Sequence, residues 1–254
     1  MNGTLKTVEQ RLYPETAAGG FSRADHRMTY LVRLHSLLDP SMAVLDFGAG
    51  RGKWIEDPVA YRAKLGDLRS ACRLVVGVDT DPAVLANRSL HQSYVLDPSG
   101  RLPFDDSTFD LISCFSVFEH IENPSEVAAE FTRVLRPGGW VMGWTPNKYG
   151  YVGLGARIIP DPLKNTVLRV LEPRRESHDS FPPVYRLNTR AAFRRHFPPS
   201  HWEDFSYSYN GMPFYHGETM LLARAWQALF TVLPPPVMAY WIVILQKRFS
   251  TDDC

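Results

Sequence analysis

The chain has 254 residues, 44% of them hydrophobic and 22% charged, with a formal net charge of +1. That make-up suits a globular protein with room for one large domain, and the near-zero charge gives no electrostatic reason to expect a nucleic-acid partner. Cys72, Cys114 and Cys254 make no disulfide framework and no metal-ligand spacing, so a reducing, cytoplasmic setting without a metal is expected. The first residues lack the apolar stretch of a secretion signal, and no run reaches the roughly 20 apolar residues of a membrane span.

Met28, Leu31, Val32, Leu34, Leu37 and Leu38 recur at helical spacing, predicting a helix over 23–38 within an N-terminal segment 1–40. Residues 43–47 then read as a buried strand running into glycines at 48, 50 and 52. A helix over 56–70 follows, with Pro58 in its first turn, and residues 74–79 form a second strand ending on Asp79. Asp81 caps a helix that has Pro82 at its first position. Residues 93–97 make a third strand, 109–115 a fourth and 140–144 a fifth, with an amphipathic helix over 124–135 between the last two. Runs apolar on both faces, alternating with helices, imply a parallel sheet between helix layers with ligands at the carboxyl ends of the strands.

Beyond residue 145 prolines break the rhythm. A helix over 188–196 capped by Asn188 or Thr189, a sixth strand over 201–209 and a seventh over 240–246 are expected. Met220 to Leu233 carries Leu221, Leu222, Ala225, Trp226, Leu229 and Phe230 on nearly one face, suited to the core, to a homodimer or to peripheral membrane contact. The chain therefore divides into a cofactor-binding core at 41–147, a substrate-covering insert at 148–200 and C-terminal strands with an inserted helix at 201–254, all in one domain with the core.

Three glycines between a strand and a helix let a ligand approach the backbone closely. Their G-x-G-x-G spacing puts Lys53 where the dinucleotide fingerprint needs its third glycine, which tells against hydride transfer. Asp79 is placed to accept from ribose hydroxyls, Asp97 from an adenine amino group, and Asp46 to pair with a ligand ammonium. Three carboxylates around one ligand would repel a pyrophosphate and suit a sulfonium that carries an amino group, so S-adenosylmethionine is favoured over NAD.

The chain resembles the class I S-adenosylmethionine-dependent methyltransferases over roughly residues 40 to 147. The resemblance rests on Val44-Leu-Asp-Phe-Gly-Ala-Gly-Arg-Gly52, Val76-Gly-Val-Asp79, Leu102-Pro-Phe-Asp-Asp-Ser-Thr-Phe-Asp-Leu111, Phe118-Glu-His-Ile121 and Arg133-Val-Leu-Arg-Pro-Gly-Gly139. It implies an α/β fold with a doubly wound, Rossmann-like seven-stranded sheet, helices on both faces and an inserted helical cap. It also places Asp46, Gly48 and Gly50, with Phe47, Ala49 and Gly52 of the same loop, around the methionine part of the cofactor. Asp79 and Thr80 would meet the ribose, Asp97 with Gly100 and Arg101 the adenine, and Phe115 would lie beside the cofactor. The interval from Gly52 to Asp79 is longer than usual for the family and suggests an enlarged first crossover.

If the acceptor is a hydroxyl, a base helps; if it is a neutral amine, little more is needed. His120 after the fourth strand and His178 beside Asp179 are the candidate bases, with a structural turn and an exposed loop as their alternatives. His216 has a lesser claim to the same role and, with Asn147, Tyr149 and Tyr185, is a candidate acceptor contact. Trp144, Tyr149, Tyr151, Tyr185, Tyr207, Tyr209 and Phe214 build either an aromatic acceptor pocket or packing around the extra helices. The segment after the fourth strand, Phe115-Ser-Val-Phe-Glu-His120, lacks the Asn or Asp followed by two prolines and an aromatic usual in nucleobase amine methyltransferases. A small-molecule, glycan or lipid-linked acceptor is expected instead. The alternative is a catalytically silent cofactor-binding subunit, against which the intact loop and its three carboxylates speak.

Overall fold

A computed structural model describes residues 7–97, 100–159, 163, 166–167, 170–171 and 183–249. The apolar runs form β1 (Ala43–Phe47), β2 (Leu74–Asp79), β3 (Gln92–Val95), β4 (Phe109–Phe115) and β5 (Leu135–Pro146). Three more strands follow: β6 (Trp202–Asp204), β7 (Tyr207–Tyr209) and β8 (Tyr240–Lys247). They make one eight-stranded sheet in the order β3-β2-β1-β4-β5-β8-β6, with β7 also paired to β8. The first five strands are parallel, and β8 runs antiparallel to β5, β6 and β7.

Eight strands replace the expected seven because the predicted sixth breaks in two. At the break the Ser206 Oγ accepts from the Ile244 amide at 3.0 Å, and Asp204 Oδ1 accepts from the Ser206 amide at 2.9 Å. These side-chain bonds interrupt the ladder and re-aim Tyr207–Tyr209.

Alternation along the parallel strands sends side chains to both faces. Leu45, Val76, Ile112, Cys114 and Val141 pack on one side with Phe131 of the helix Pro124–Val134 and Phe193 of the helix Arg190–His196. Val44, Val75, Leu111 and Met142 pack on the other with Tyr30, Leu31 and Leu34 of the helix His26–His35. The first crossover holds a seven-residue helix, Ala60–Gly66, and a 3-10 turn, Leu68–Ser70, so Pro58 lies ahead of the helix instead of in its first turn. The helix expected after Asp81 is a short 3-10 helix, Pro82–Ala86, and Asp81 caps it by accepting from the Ala83 amide. Thr189, not Asn188, caps the helix Arg190–His196, since the Asn188 amide is spent on Thr145 and the Pro146 carbonyl.

The helix Met220–Phe230 buries only part of the predicted face. Ala223 is buried, and Trp226 and Phe230 pack on the Tyr151 ring at 4.8 and 5.2 Å. Leu221 is left 80% exposed, with Leu222 and Leu229 exposed beside it. No helix among the described residues is long and apolar enough to cross a membrane.

The helix His26–His35 is fixed over the sheet by buried charge. Asp25 caps it, accepting from the Met28 amide at 3.0 Å, and pairs with Arg62. Arg62 also forks onto Asp57 Oδ1 from Nε and Nη2 at 3.0 and 2.9 Å, while Arg27 reaches Asp57 Oδ2 at 3.0 Å. The Arg62 side chain is 12% exposed and both carboxylates less. Removing one member of such a cluster leaves the others charged and dehydrated, so Arg62→Met should lower stability by about 3–5 kcal/mol. Urea unfolding followed by tryptophan fluorescence checks this; a loss below about 1 kcal/mol would mean the cluster is solvated.

Candidate active site

The chemistry-bearing residues converge where β1, β2, β4 and β5 end. After β1 the chain turns through three glycines with positive φ: +78° at Gly48, +52° at Gly50 and +89° at Gly52. The Val78 carbonyl at the end of β2 accepts from the Gly48 and Ala49 amides at 2.8 and 3.1 Å. Asp79 Oδ2 accepts from the Gly50 amide at 2.8 Å, and its Oδ1 from the Asp81 amide at 2.9 Å. Asn87 closes the turn from outside, donating to the Ala49 and Gly50 carbonyls at 3.1 Å each. A Cβ on Gly48 would stand 2.4 Å from Val117, and one on Gly52 2.4 Å from Asn87, whereas above Gly50 there is open space. The turn is thus tied down on the protein side and clear on the other, as a cradle for a ligand requires.

Asp46 stands in register with Ser113 of β4, and its Oδ1 accepts from the Ser113 hydroxyl at 3.1 Å. That hydroxyl lies 2.7 Å from the Tyr30 phenol, so the helix His26–His35 is linked to the cofactor loop through one serine. Burial, reinforced by the charge of Asp79, pushes the Asp46 carboxyl up to about 6. A cation held against it would restore its charge.

Aromatic rings crowd the ends of β4 and β5. Phe115 and Trp144, partners in the ladder, stack at 5.0 Å. Trp54 meets the Phe115 ring edge-on at 4.8 Å and Tyr30 lies 5.0 Å from it. The His26 ring lies 4.8 Å from Trp144, 5.1 Å from Phe214 and 6.0 Å from Tyr240. Trp144 Nε1 donates to the Tyr209 hydroxyl at 2.8 Å. Of the aromatic residues singled out from sequence, Trp144, Tyr209 and Phe214 thus join this wall. Tyr151 backs it, its hydroxyl 3.3 Å from that of Tyr240 and accepting from the Phe214 amide at 3.0 Å. Tyr207 instead lies under the Arg33 guanidinium.

Other expected residues are used differently. Phe47 turns its ring away from the loop onto Phe131, 5.0 Å edge-to-face, so only its backbone follows the cradle. Asn147 is wholly buried; its amide donates to the Pro236 and Met238 carbonyls at 3.0 and 2.8 Å and accepts from the Tyr149 amide at 3.1 Å. Those bonds commit the Asn147 side chain to holding the turn and leave it no capacity to serve as the acceptor contact expected of it. Tyr149 is 48% exposed at that turn. Thr80 and Asp97 are exposed beyond the ends of β2 and β3. His216 lines a cavity of about 170 Å³ between the helix Val8–Leu12 and residues 212–218, with Phe214 as a wall shared with the aromatic cluster. His178 lies outside the described residues.

His120 sits in the short turn Phe118–His120, its Nε2 3.9 Å from Glu119 Oε1. Glu119 is buried, accepts from the Thr145 hydroxyl at 2.8 Å, and its carbonyl accepts from the Val184 and Tyr185 amides at 2.7 and 3.1 Å. Tyr185, expected at the acceptor, is buried at this anchor with φ of +51°. Neither His26, Tyr30, Trp54, Asn87 nor Ser113 was a candidate from sequence. Trp54 lies just past the glycines, but nothing in local spacing ties helix residues 26 and 30 to a loop twenty residues later.

Residues 45–143 match the family described as "Methyltransferase domain". This chain carries a class I S-adenosylmethionine-dependent methyltransferase domain. A "probable S-adenosylmethionine-dependent methyltransferase" of Mycolicibacterium smegmatis is 30% identical over 57% of this chain and 52% of its own length. A mitochondrial ubiquinone biosynthesis O-methyltransferase of Candida albicans is 33% identical over 44% of this chain and 35% of its own. The chain thus spans about half or less of the curated relatives it matches. Among solved structures, geranyl diphosphate methyltransferase is 16% identical with a TM-score of 0.53, covering 87% of this chain and 78% of that one. The YcgJ protein of Bacillus subtilis, also 16% identical, gives 0.51 over 88% and 99%. These likenesses concern the fold, which a cyclase, SpnF, shares at a TM-score of 0.51, 15% identity and coverage of 88% and 81%. The cofactor of the methyltransferase domain is S-adenosylmethionine, and the clear space over Gly50 beside the under-neutralised Asp46 fits a cationic ligand.

Burial pushes the Glu119 carboxyl up to about 7 from an ordinary 4.5. Between those values the folded chain keeps a proton that the unfolded chain has lost, so this stabilisation, full below about pH 4.5, disappears as pH rises through 7. Glu119→Gln stays neutral and keeps an oxygen for Thr145. Its stability relative to wild type should improve steadily from pH 5 to pH 8 in urea unfolding; a constant difference would mean the carboxyl is ionised throughout.

Proposed function

We propose that the protein transfers the methyl group of S-adenosylmethionine to a hydroxyl oxygen of a small, flat, largely apolar acceptor. One observation carries this reading: the wall of His26, Phe115, Trp144, Phe214 and Tyr240 at the ends of β4 and β5, one serine away from Asp46. Such a wall offers area and π-faces to a ring and few polar partners to a sugar or phosphate. The ubiquinone biosynthesis O-methyltransferases among the relatives, by their names, support an oxygen acceptor.

Bound S-adenosylmethionine supplies a methyl group already activated by its sulfonium. The protein has to orient the partners and exclude water. In this reading residues 41–147 hold the cofactor, with the Gly48–Gly52 turn and Asp46 at its methionine end and Asp79 and Thr80 at its ribose. Asp97 lies toward the adenine, Phe115 beside the methyl, and residues 148–200 cover the acceptor. The acceptor's hydroxyl oxygen attacks in line with the bond that breaks. His216, at the cavity behind Phe214, contacts the outer part of a longer acceptor. A lipid-linked acceptor fits that continuation, and the exposed Leu221, Leu222 and Leu229 accord with one drawn from an apolar phase.

Methyl-labelled S-adenosylmethionine offered with phenols, catechols, anilines and nucleosides tests the acceptor class. Label is expected on the phenolic oxygens. Label on amines instead, or cofactor binding without transfer to any of them, overturns the reading, the second result in favour of a silent cofactor-binding subunit.

Asp46 gives the cofactor assignment its own signature. A bound ammonium favours the carboxylate, so binding expels a proton from the fraction of Asp46 still protonated near pH 6. Affinity for the demethylated cofactor should therefore rise with pH through about 6 and level off above it, and Asp46→Asn should flatten that rise. Titration calorimetry at pH 5 to 8 checks both; an unchanged slope in the variant removes Asp46 from the site.

A further inference from the structure

The His26 ring is not anchored at its Nδ1 by any of the described residues. His26 is the first residue of its helix, its ring set among Phe115, Trp144, Phe214 and Tyr240, and its Nδ1 is buried with no hydrogen-bond partner among the described residues. A buried ring nitrogen without a partner carries a desolvation cost that a bound hydroxyl would relieve. The ring stands beside Phe115 and Trp144, at the carboxyl edge where the acceptor must meet the methyl group. The backbone around it is fixed by the Asp25–Arg62–Asp57 cluster.

We infer that His26 is the catalytic base, its Nδ1 accepting the proton of the acceptor hydroxyl. This rests on the proposed oxygen transfer. The hydroxyl oxygen forms the new O–C bond with one of its electron pairs, the S–C electron pair stays on sulfur, and the O–H proton passes to the imidazole. Positive charge leaves the sulfonium as it appears on His26, so the pocket's total charge is unchanged. The same aromatic faces that favour one cation favour the other.

The charged and titratable groups around the ring are compatible with this role. Asp25 and Arg27 flank it on its own helix, Arg62 and Asp57 approach from the first crossover, and Tyr209 and Tyr240 come from β7 and β8. Desolvation is the largest effect; Asp25 and Asp57 raise the imidazole, Arg27 and Arg62 lower it, and the outcome is about 4, so the base is neutral at physiological pH.

The test compares wild type with His26→Asn and His26→Phe on catechol and on 4-nitrocatechol, whose more acidic hydroxyl is already ionised at pH 8. With catechol, kcat should fall by about a hundredfold or more in both variants. With 4-nitrocatechol at pH 8 the loss should nearly vanish, and affinity for the demethylated cofactor should match wild type. Equal losses with both acceptors, or none with catechol, overturn the inference. A second measurement does not depend on turnover. In protein saturated with the demethylated cofactor, catechol should shift the His26 ring nitrogen resonances in 15N NMR, assigned by their absence in His26→Asn. No shift overturns the inference, whereas a shift without methylation of either acceptor by wild type would fail the oxygen-transfer reading on which it rests.

Discussion

One carbonyl organises the cofactor side of this molecule. Val78 ends β2 by accepting two amides from the chain leaving β1, and Asp79 takes the third. The Gly48, Ala49 and Gly50 amides are therefore satisfied before any ligand arrives, and the path of the loop is dictated by a neighbouring strand. Everything downstream depends on that junction. It sets how far Gly50 stands from Asp46, and Asp46 in turn orients Ser113, through which the tyrosine of the N-terminal helix is reached.

The parallel strands were legible because burial on both faces leaves nearly uninterrupted apolar runs; β1, β2 and β4 have the bounds their composition predicts. Edge structure was harder. A serine hydroxyl substituting for a backbone partner splits the predicted sixth strand, and no periodicity announces that. The turn through the glycines was legible as backbone geometry, whereas at Phe47 alternation sends the ring into the core while the backbone follows the turn. Asn147 misled for a related reason: a polar residue at a strand's carboxyl end resembles a ligand contact until its buried bonds are counted.

The acceptor side was less readable. The proposed wall is assembled from five separate stretches, around residues 26–30, 115, 144, 209–214 and 240. Only the folded chain makes them neighbours. The sequence offered three histidines as bases, His120, His178 and His216, and the structure adds a fourth candidate from the helix His26–His35. Its claim comes from packing, since His26 has no motif and stands out by a buried nitrogen with no partner among the described residues.

Asn87 has a role that extends past the loop it touches. It grips the glycine turn by two carbonyls, and the Ser89 hydroxyl and amide hold the asparagine in turn. A turn braced from behind loses little freedom when a ligand docks, so the entropic cost of ordering it is met during folding and not at each binding event. In the proposed methyl transfer, which takes up one form of the cofactor and releases another in every cycle, such bracing would keep the two exchange steps alike. Discrimination between methylated and demethylated forms is then left to the charge at Asp46 and the rings opposite.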